Sequence, residues 1–189
     1  MQLVNNPDKS LVPKWEVEVK DWPTDNNWIA RGAFQQYQSG SYLCTVAIDA
    51  MNNLAAISTY KQYPTTIALK EMGIAIINKK EPKLLSGILD RADFRVPGGR
   101  EQYHKEVDEA SQKYPVFEDE FINSLPPNAL SLEGLAGIGV GGAGNILRYL
   151  ISQNKFIYLE MFLVKQNLGF YKHFGFKRLL NTKYMYLLN

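Results

Sequence analysis

The stretch that decides the fold reads Gly137-Ile138-Gly139-Val140-Gly141-Gly142-Ala143-Gly144-Asn145. It follows a run predicted as a strand over 130–138 and precedes a segment predicted as a helix over 142–153. Glycines permit positive φ and a close backbone approach, and the first turn of a helix offers free N–H groups. The loop therefore indicates a site for phosphate groups, with a tight turn that binds nothing as the alternative.

The chain downstream of this loop alternates strand and helix. We predict a strand over 155–163, a short helix over 165–173, and a hairpin formed by 176–180 and 184–188. This order favours an α/β or α+β domain with a parallel strand pair around the helix at 142–153.

The first 60 residues predict a strand, a helix and a hairpin. Residues 14–20 alternate with period two and indicate a strand, and 26–38 indicate a helix. The hairpin strands are 42–48 and 54–60. The inner side of the helix is expected to carry Trp28, Ile29 and Phe34.

Residues 61–129 carry no catalytic spacing. Helices are predicted at 82–91 and 101–114, and 72–77 is either a strand or a buried helix. We interpret the whole segment as a helical insertion between the third and fourth strands of a single domain spanning 1–189.

Composition excludes several classes of protein. The 189 residues are 46% hydrophobic and 21% charged, with a net charge of +2 and one cysteine, Cys44. The charge is too small to indicate nucleic-acid binding, and one cysteine allows no intrachain disulfide or cysteine-pair zinc site. The N-terminus lacks the pattern of a signal peptide, and the longest uncharged stretch, 134–147, is too short to cross a bilayer. These features predict a soluble cytoplasmic protein that binds neither membrane nor metal.

The charges are unevenly distributed. Residues 101–133 hold eight acidic and two basic side chains, whereas 145–189 hold seven basic side chains and one acid, Glu160. Two solvated faces explain this pattern, and so does a C-terminal part that binds an anionic ligand.

One alternative for the glycine loop is a dinucleotide site. Gly139, Gly141 and Gly144 match the spacing G-x-G-x-x-G, and Glu160 ends the next strand, where a ribose-binding acid is expected. However, too few residues follow Glu160 for further strand–helix units, and the preceding strand carries Glu133. An oxidoreductase is therefore the weaker hypothesis.

The C-terminal part resembles the GNAT superfamily of acetyl-CoA-dependent N-acyltransferases over 130–189. The motifs that carry the resemblance are Leu132-Glu133-x-Leu135-Ala136-Gly137, Gly142-x-Gly144, Phe170-Tyr171-Lys172-His173-Phe174-Gly175-Phe176-Lys177 and Tyr184-Met185-Tyr186-Leu187. The resemblance implies a mixed, mostly antiparallel sheet that splays between its fourth and fifth strands and is flanked by helices. Residues 1–60 are compatible with the N-terminal half of this fold.

The resemblance also implies acetyl-CoA, or another acyl-CoA, as cosubstrate. Its pantetheine arm would lie between 135–139 and 156–162, and its pyrophosphate at the start of the following helix. The residues expected to bind it are Ile138, Gly139, Val140, Gly142, Ala143, Gly144, Asn145 and Asn167. Asn167 and Val164 differ from the residues usual in the family.

Two catalytic residues are predicted. Tyr171 matches the tyrosine that donates to the leaving thiolate in the family, although it could simply pack beside Phe174. Glu133, on the fourth strand, is the candidate base for the attacking amine, with a solvent-facing carboxylate as the alternative. A backbone N–H near Ile138 or Gly139 is expected to stabilise the thioester oxyanion.

We therefore predict transfer of an acetyl or other short acyl group from CoA to an amine. The amine would belong to a small molecule or a protein; the low net charge does not favour an aminoacyl-tRNA. A catalytically inactive CoA-binding or interaction domain on the same fold stays open, as does a homodimer.

Overall fold

The computed structural model describes residues 1–113, 117–139, 141–161 and 164–189. Its strands are β1 (Gln2–Asn5), β2 (Leu43–Ile48), β3 (Leu54–Pro64), β4 (Asn128–Gly137), β5 (Phe156–Glu160), β6 (Lys177–Arg178) and β7 (Tyr184–Leu188). They form one sheet in the order β1-β2-β3-β4-β5-β7-β6. Every neighbouring pair is antiparallel except β4 and β5, which are parallel.

Helices cover both faces of the sheet. They are α1 (Val12–Glu18), α2 (Thr24–Gln38), α3 (Thr65–Lys80), α4 (Pro82–Arg91), α5 (Gly99–Lys113), α6 (Asp119–Ser124), α7 (Gly142–Gln153) and α8 (Val164–His173). Leu130 packs with α7, whereas its neighbour Ala129 packs with α3 on the opposite face, because side chains alternate along a strand. Within the described ranges, no helix is long and apolar enough to span a membrane.

Strand β4 parts from β5 halfway along its length. The two strands pair only over Leu130–Leu132, and β4 then continues to Gly137 with β3 as its one partner. This confirms the predicted fold class, a mixed sheet splayed between its fourth and fifth strands.

A bulge lies where the splay begins. Thr59 pairs with Gly134 and Tyr60 pairs with Leu132, so Glu133 is the extra residue in β4. A bulge bends its strand and changes the direction of the side chains that follow. Here it leaves Glu133 next to the gap between β4 and β5.

The prediction of a strand over 14–20 was wrong. This segment is helical: it lies in α1 and in the 3-10 helix Val19–Asp21 that follows, and α1 carries Pro13 in its first turn, a favoured place for proline. Val12, Trp15 and Val19 are buried, while Val17 is 60% exposed. The spacing of the three buried residues is helical, and the period-two alternation of Trp15, Val17 and Val19 concealed it. The first strand of the sheet is β1.

The other predicted elements correspond to the observed ones with small shifts at their ends. The segment 72–77 is helical within α3, and Trp28, predicted on the inner side of α2, is 66% exposed. The buried face of α2 is formed instead by Ala30, Ala33, Phe34 and Tyr37. Tyr114, Val140, Phe162 and Leu163, on which parts of the predictions fall, lie outside the described residues.

Helices α3–α6 occupy most of the predicted insertion. Met72 and Ile76 of α3 pack against Phe156 and Tyr158 of the sheet. Helices α4 and α5 contribute to a smaller cluster around Ile88. The division of the chain at residues 61 and 129 stays a prediction.

Candidate active site

A cavity of about 520 Å³ lies where β4 leaves β5. Its walls are α2, β4, the end of β5 and α8, and we call it the large cavity to distinguish it from the smaller cavity beside it. A second cavity of about 410 Å³ adjoins it towards the start of α7. Both cavities are lined by Thr24, Asp25, Ile29, Leu135, Asn167 and Tyr171. The gap in the sheet therefore forms the floor of a cleft with two compartments.

Tyr171 lines both compartments from α8. Its ring makes edge contacts with Phe170 and Phe176, at centroid distances of 5.2 and 5.7 Å. These contacts hold the ring in one orientation. Burial raises the pKa of Tyr171 to about 12, so the hydroxyl stays protonated at neutral pH and acts as a hydrogen-bond donor.

Glu133 lines the large cavity from β4. Its Oε1 atom accepts a hydrogen bond of 2.7 Å from the hydroxyl of Ser131, two residues earlier. Its side chain is half-buried. The structure thus brings Glu133 and Tyr171, predicted from motifs far apart in the chain, to the walls of one cavity.

Two further carboxylates line the large cavity, Asp25 and Glu160. Glu160 forms an ion pair with Lys183 and accepts a hydrogen bond of 3.3 Å from the hydroxyl of Tyr184. The residues described as lining this cavity include three acids and no lysine, arginine or histidine. Because Lys183 offsets the charge of Glu160, the acidic character of this cavity rests mainly on Asp25 and Glu133.

Among the described residues, the second half of β4 has no strand partner on the side of the gap. The N–H of Ile138 donates to the carbonyl of Ala55 in β3, at 3.0 Å. Because backbone groups alternate in direction along a strand, the N–H and C=O groups of Leu135 and Gly137 point towards the gap. Asn26 of α2 donates to the carbonyl of Gly137 at 2.9 Å.

This geometry excludes one of the two predicted oxyanion donors, the N–H of Ile138, and leaves that of Gly139 a prediction. The N–H of Ile138 is already paired with β3, so it cannot also point at a ligand in the gap. The N–H of Leu135 faces the gap, beside both cavities. The sequence could not distinguish these groups, because the direction of a backbone N–H depends on strand register.

The glycine loop caps α7. Gly141 has φ of 101°, which a residue with a Cβ rarely adopts, and no side chain caps the helix. The first helical bond runs from the N–H of Asn145 to the carbonyl of Gly141, at 2.8 Å. The N–H groups of residues 142–144 therefore precede any intrahelical acceptor. A Cβ on Gly142 would lie 3.0 Å from that of Ala56, so this glycine is required for close packing against β3.

The remaining predicted binding residues are divided between the cleft and its surroundings. Ala143 lines the second cavity, and Asn167 lines both. Gly139 has φ of 66° and is exposed, and Gly144 is buried beside the ring of Phe174. Ile138 is 38% exposed, and Val140 lies outside the described residues.

Arg148 is a residue that the motif analysis missed. Its guanidinium lies 5.4 Å from the centre of the Phe174 ring and donates to the side-chain oxygen of Asn145 at 3.1 Å. It stands one helical turn after Gly144. The sequence did carry a signal for Arg148: a basic residue one helical turn after the glycine loop places a cation beside the first turn of the helix.

Metal ligands were not expected, and the described residues contain no group of three or more His, Cys, Asp or Glu side chains that could hold an ion.

The sheet order and the splayed parallel pair define the GNAT fold. Among solved structures, the chain is similar to a Corynebacterium glutamicum protein described as histone acetyltransferase HPA2 and related acetyltransferase: identity is 14%, coverage is 100% of this chain and 96% of that one, and the TM-score is 0.51. It is also similar to a tyrosine-to-phenylalanine mutant of KacT, with 14% identity, coverage of 100% and 95%, and a TM-score of 0.50. No protein-family model and no curated protein sequence matches the chain.

Proposed function

We propose that this protein is an N-acyltransferase that moves an acetyl or other short acyl group from CoA to an amine. The observation that carries the proposal is the presence of Glu133 and Tyr171 in one cavity, at the point where β4 leaves β5. A carboxylate and a protonated hydroxyl are the two groups that aminolysis of a thioester needs, one to take a proton and one to stabilise the leaving sulfur.

The cleft fits an acyl-CoA. The edge of β4 at Leu135 and Gly137 can pair with the amide groups of a pantetheine arm as an added strand does. The uncapped N–H groups at 142–144 and the guanidinium of Arg148 suit its phosphates. When bound, acyl-CoA supplies the activated acyl group.

The side chains of the cleft then have distinct roles. Glu133 accepts a proton from the amine, because an ammonium group has no lone pair with which to attack. The N–H of Leu135 donates to the carbonyl oxygen on which negative charge develops. Tyr171 donates to the departing sulfur; its raised pKa makes it a hydrogen-bond donor more than a full proton donor.

The large cavity also bears on the acceptor. Its acidic lining at Asp25, Glu133 and Glu160 favours a cationic amine and disfavours an acceptor that carries its own carboxylate. Its volume suits a small molecule better than a folded protein. Trp28, at the rim, offers a flat apolar surface for the body of such an amine.

Two measurements test the proposal. Titration calorimetry with acetyl-CoA and with NAD tests the ligand, and release of free thiol in the presence of an amine panel tests the reaction. Acetyl-CoA binding with amine-dependent thiol release supports an acyltransferase. Binding without turnover supports the inactive CoA-binding domain. Binding of NAD alone would support an oxidoreductase, although β7 lies antiparallel beside β5, unlike the parallel strands of a dinucleotide fold.

A further inference from the structure

Helix α2 carries a ridge with a cavity on each side. The ridge consists of Thr24, Trp28 and Gly32, which are spaced four residues apart on one face of the helix and line both the large cavity and a third cavity. The residues that directly follow the ridge positions, at 25, 29 and 33, line the large cavity but not the third one. The residues at 27, 31 and 35 line the third cavity but not the large one. One helix therefore separates two cavities that share a border.

The two cavities differ in charge. The lining of the large cavity has Asp25 and Glu133 as its main charges, whereas the third cavity is lined by Lys20 and Arg31 and, within the described ranges, by no acid. We call it the basic cavity. Both bases are exposed, and neither forms an ion pair with a described carboxylate. The basic cavity therefore offers two cations to an anionic group.

The border between the cavities is apolar and open at one point. Trp28 is exposed and presents its indole ring to both sides. A Cβ built on Gly32, one helical turn later, would have no heavy atom within 4 Å, so there is free space beside this residue. Because an α-helix with its side chains is about 10 Å across, a molecule that reaches both cavities is roughly 10 Å long.

We infer that the basic cavity binds an anionic group of the acceptor, at the end of the molecule away from its amine; the inference rests on the proposed function. The amine lies beside Glu133, and the body of the molecule crosses the ridge against Trp28 at Gly32. A carboxylate or a phosphate at the far end accepts hydrogen bonds from Arg31 and Lys20. A carboxylate on the carbon that bears the amine is too close to the amine to reach them and stays among the acids of the large cavity. The distance between the two charges of the acceptor therefore decides whether its anion is favoured.

The experiment measures kcat/KM, by thiol release from acetyl-CoA, for acceptors of two lengths. In 8-aminooctanoate and 8-aminooctyl phosphate the anion lies roughly 10 Å from the amine, and in 4-aminobutyrate roughly 5 Å, at about 1.2 Å per bond of an extended chain. The amino alcohols of the same lengths are the neutral references. We expect at least one long anionic acceptor to exceed its alcohol roughly 3–5-fold, the effect of one exposed ion pair. 4-Aminobutyrate should fall below its alcohol, and the better of the two long anions distinguishes carboxylate from phosphate.

Three variants test the path of the acceptor. Arg31→Gln and Lys20→Gln should each lower the anion-to-alcohol ratio of the long acceptors towards 1. Lys79→Gln is the matched control for net charge, because Lys79 is an exposed base on α3 that lines neither cavity. Gly32→Leu places a good helix former in open space, and it should lower kcat/KM for the long acceptors more than for the short ones, because its side chain obstructs the crossing.

The outcomes separate the anion site from the reaction. If the wild-type protein releases thiol but long and short acceptors have the same anion-to-alcohol ratio, the anion site is wrong and the proposed acyltransferase remains. The same conclusion follows if Arg31→Gln and Lys20→Gln both keep the wild-type ratio, or if Lys79→Gln lowers it equally. If the wild-type protein releases no thiol with any amine, both proposals are wrong.

Discussion

The two halves of β4 share a strand but have different neighbours. From Leu130 to Leu132 the strand is paired with both β3 and β5, and beyond the bulge at Glu133 it is paired with β3 alone. The first half contributes apolar side chains to the core, among them Leu130 and Leu132. The second half exposes backbone groups and a carboxylate to a cavity. Ending one strand pairing is therefore enough to open a cavity, with no change in the fold around it.

The largest effect is expected from a residue that faces the open half. Tyr171→Phe should lower kcat by roughly 10²–10⁴ and leave the affinity for acetyl-CoA nearly unchanged, because only the hydroxyl is lost. Steady-state thiol release and calorimetry measure the two quantities. Tyr149→Phe is the control, since its hydroxyl on α7 accepts a bond from Asn5 outside the cleft. Turnover of Tyr171→Phe at the wild-type rate would show that Tyr171 is structural.

A pair of leucine variants compares the two halves directly. Leu132 is 4% exposed, and Leu132→Ala should cost about 2–5 kcal/mol of unfolding free energy. Leu135 is half-buried beside the cavities, and Leu135→Ala should cost about 1–2 kcal/mol while raising the KM for acetyl-CoA.

Urea denaturation measures the stabilities in this comparison, and initial rates give the KM. If Leu132→Ala and Leu135→Ala lose equal unfolding free energy and have equal KM values for acetyl-CoA, the gap beside the second half of β4 is closed in solution.

The acidic lining of the open half predicts a choice among acceptors. The kcat/KM for an amine should be at least roughly 10-fold higher than that for the amino acid with the same skeleton, because the added carboxylate meets like charges. Tryptamine against tryptophan is a suitable pair. Asp25→Asn should lower the ratio of the two kcat/KM values without abolishing turnover. A preference for the amino acid would contradict the assignment of this cavity to the acceptor.

The last prediction concerns Cys44 of β2, in the part of the sheet away from the gap between β4 and β5. This thiol is fully buried, and burial raises its pKa to about 12, so little thiolate forms at pH 8. A thiol reagent should label the folded protein at least ~100-fold more slowly than the urea-unfolded protein, as timed mass spectrometry can measure. Rapid labelling of the folded protein would indicate that this part of the sheet opens.

Local patterns predicted most of the elements after residue 130. The strand, glycine loop and helix that include Gly141 each have a signal within a few residues: β-rich sequence, glycine, then helical periodicity. The same kind of signal failed at 14–20, where Trp15, Val17 and Val19 fit two periods at once. Only packing against α2 and the sheet, which buries Val12 with Trp15 and Val19, selects the helix.

The sequence singled out candidate residues of the site, but it did not predict their geometry. The motifs singled out Tyr171 and Glu133, but nothing local shows that α8 and β4 meet at one cavity. The bulge at Glu133 and the pairing of the Ile138 N–H depend on β3, more than 70 residues earlier in the chain. Register between distant strands is a property of the assembled sheet.

The sequence by itself therefore determined the element types around the glycine loop, the resemblance to one superfamily and the choice of Tyr171 and Glu133 as candidate residues. The tertiary structure decided the rest: where β4 leaves β5, which backbone groups of β4 face the gap, and that α8 and β4 meet at one cavity. The physical reason is that periodicity and turn chemistry act over a few residues, whereas pairing register, burial and hydrogen bonds between elements depend on segments that meet only when the chain folds.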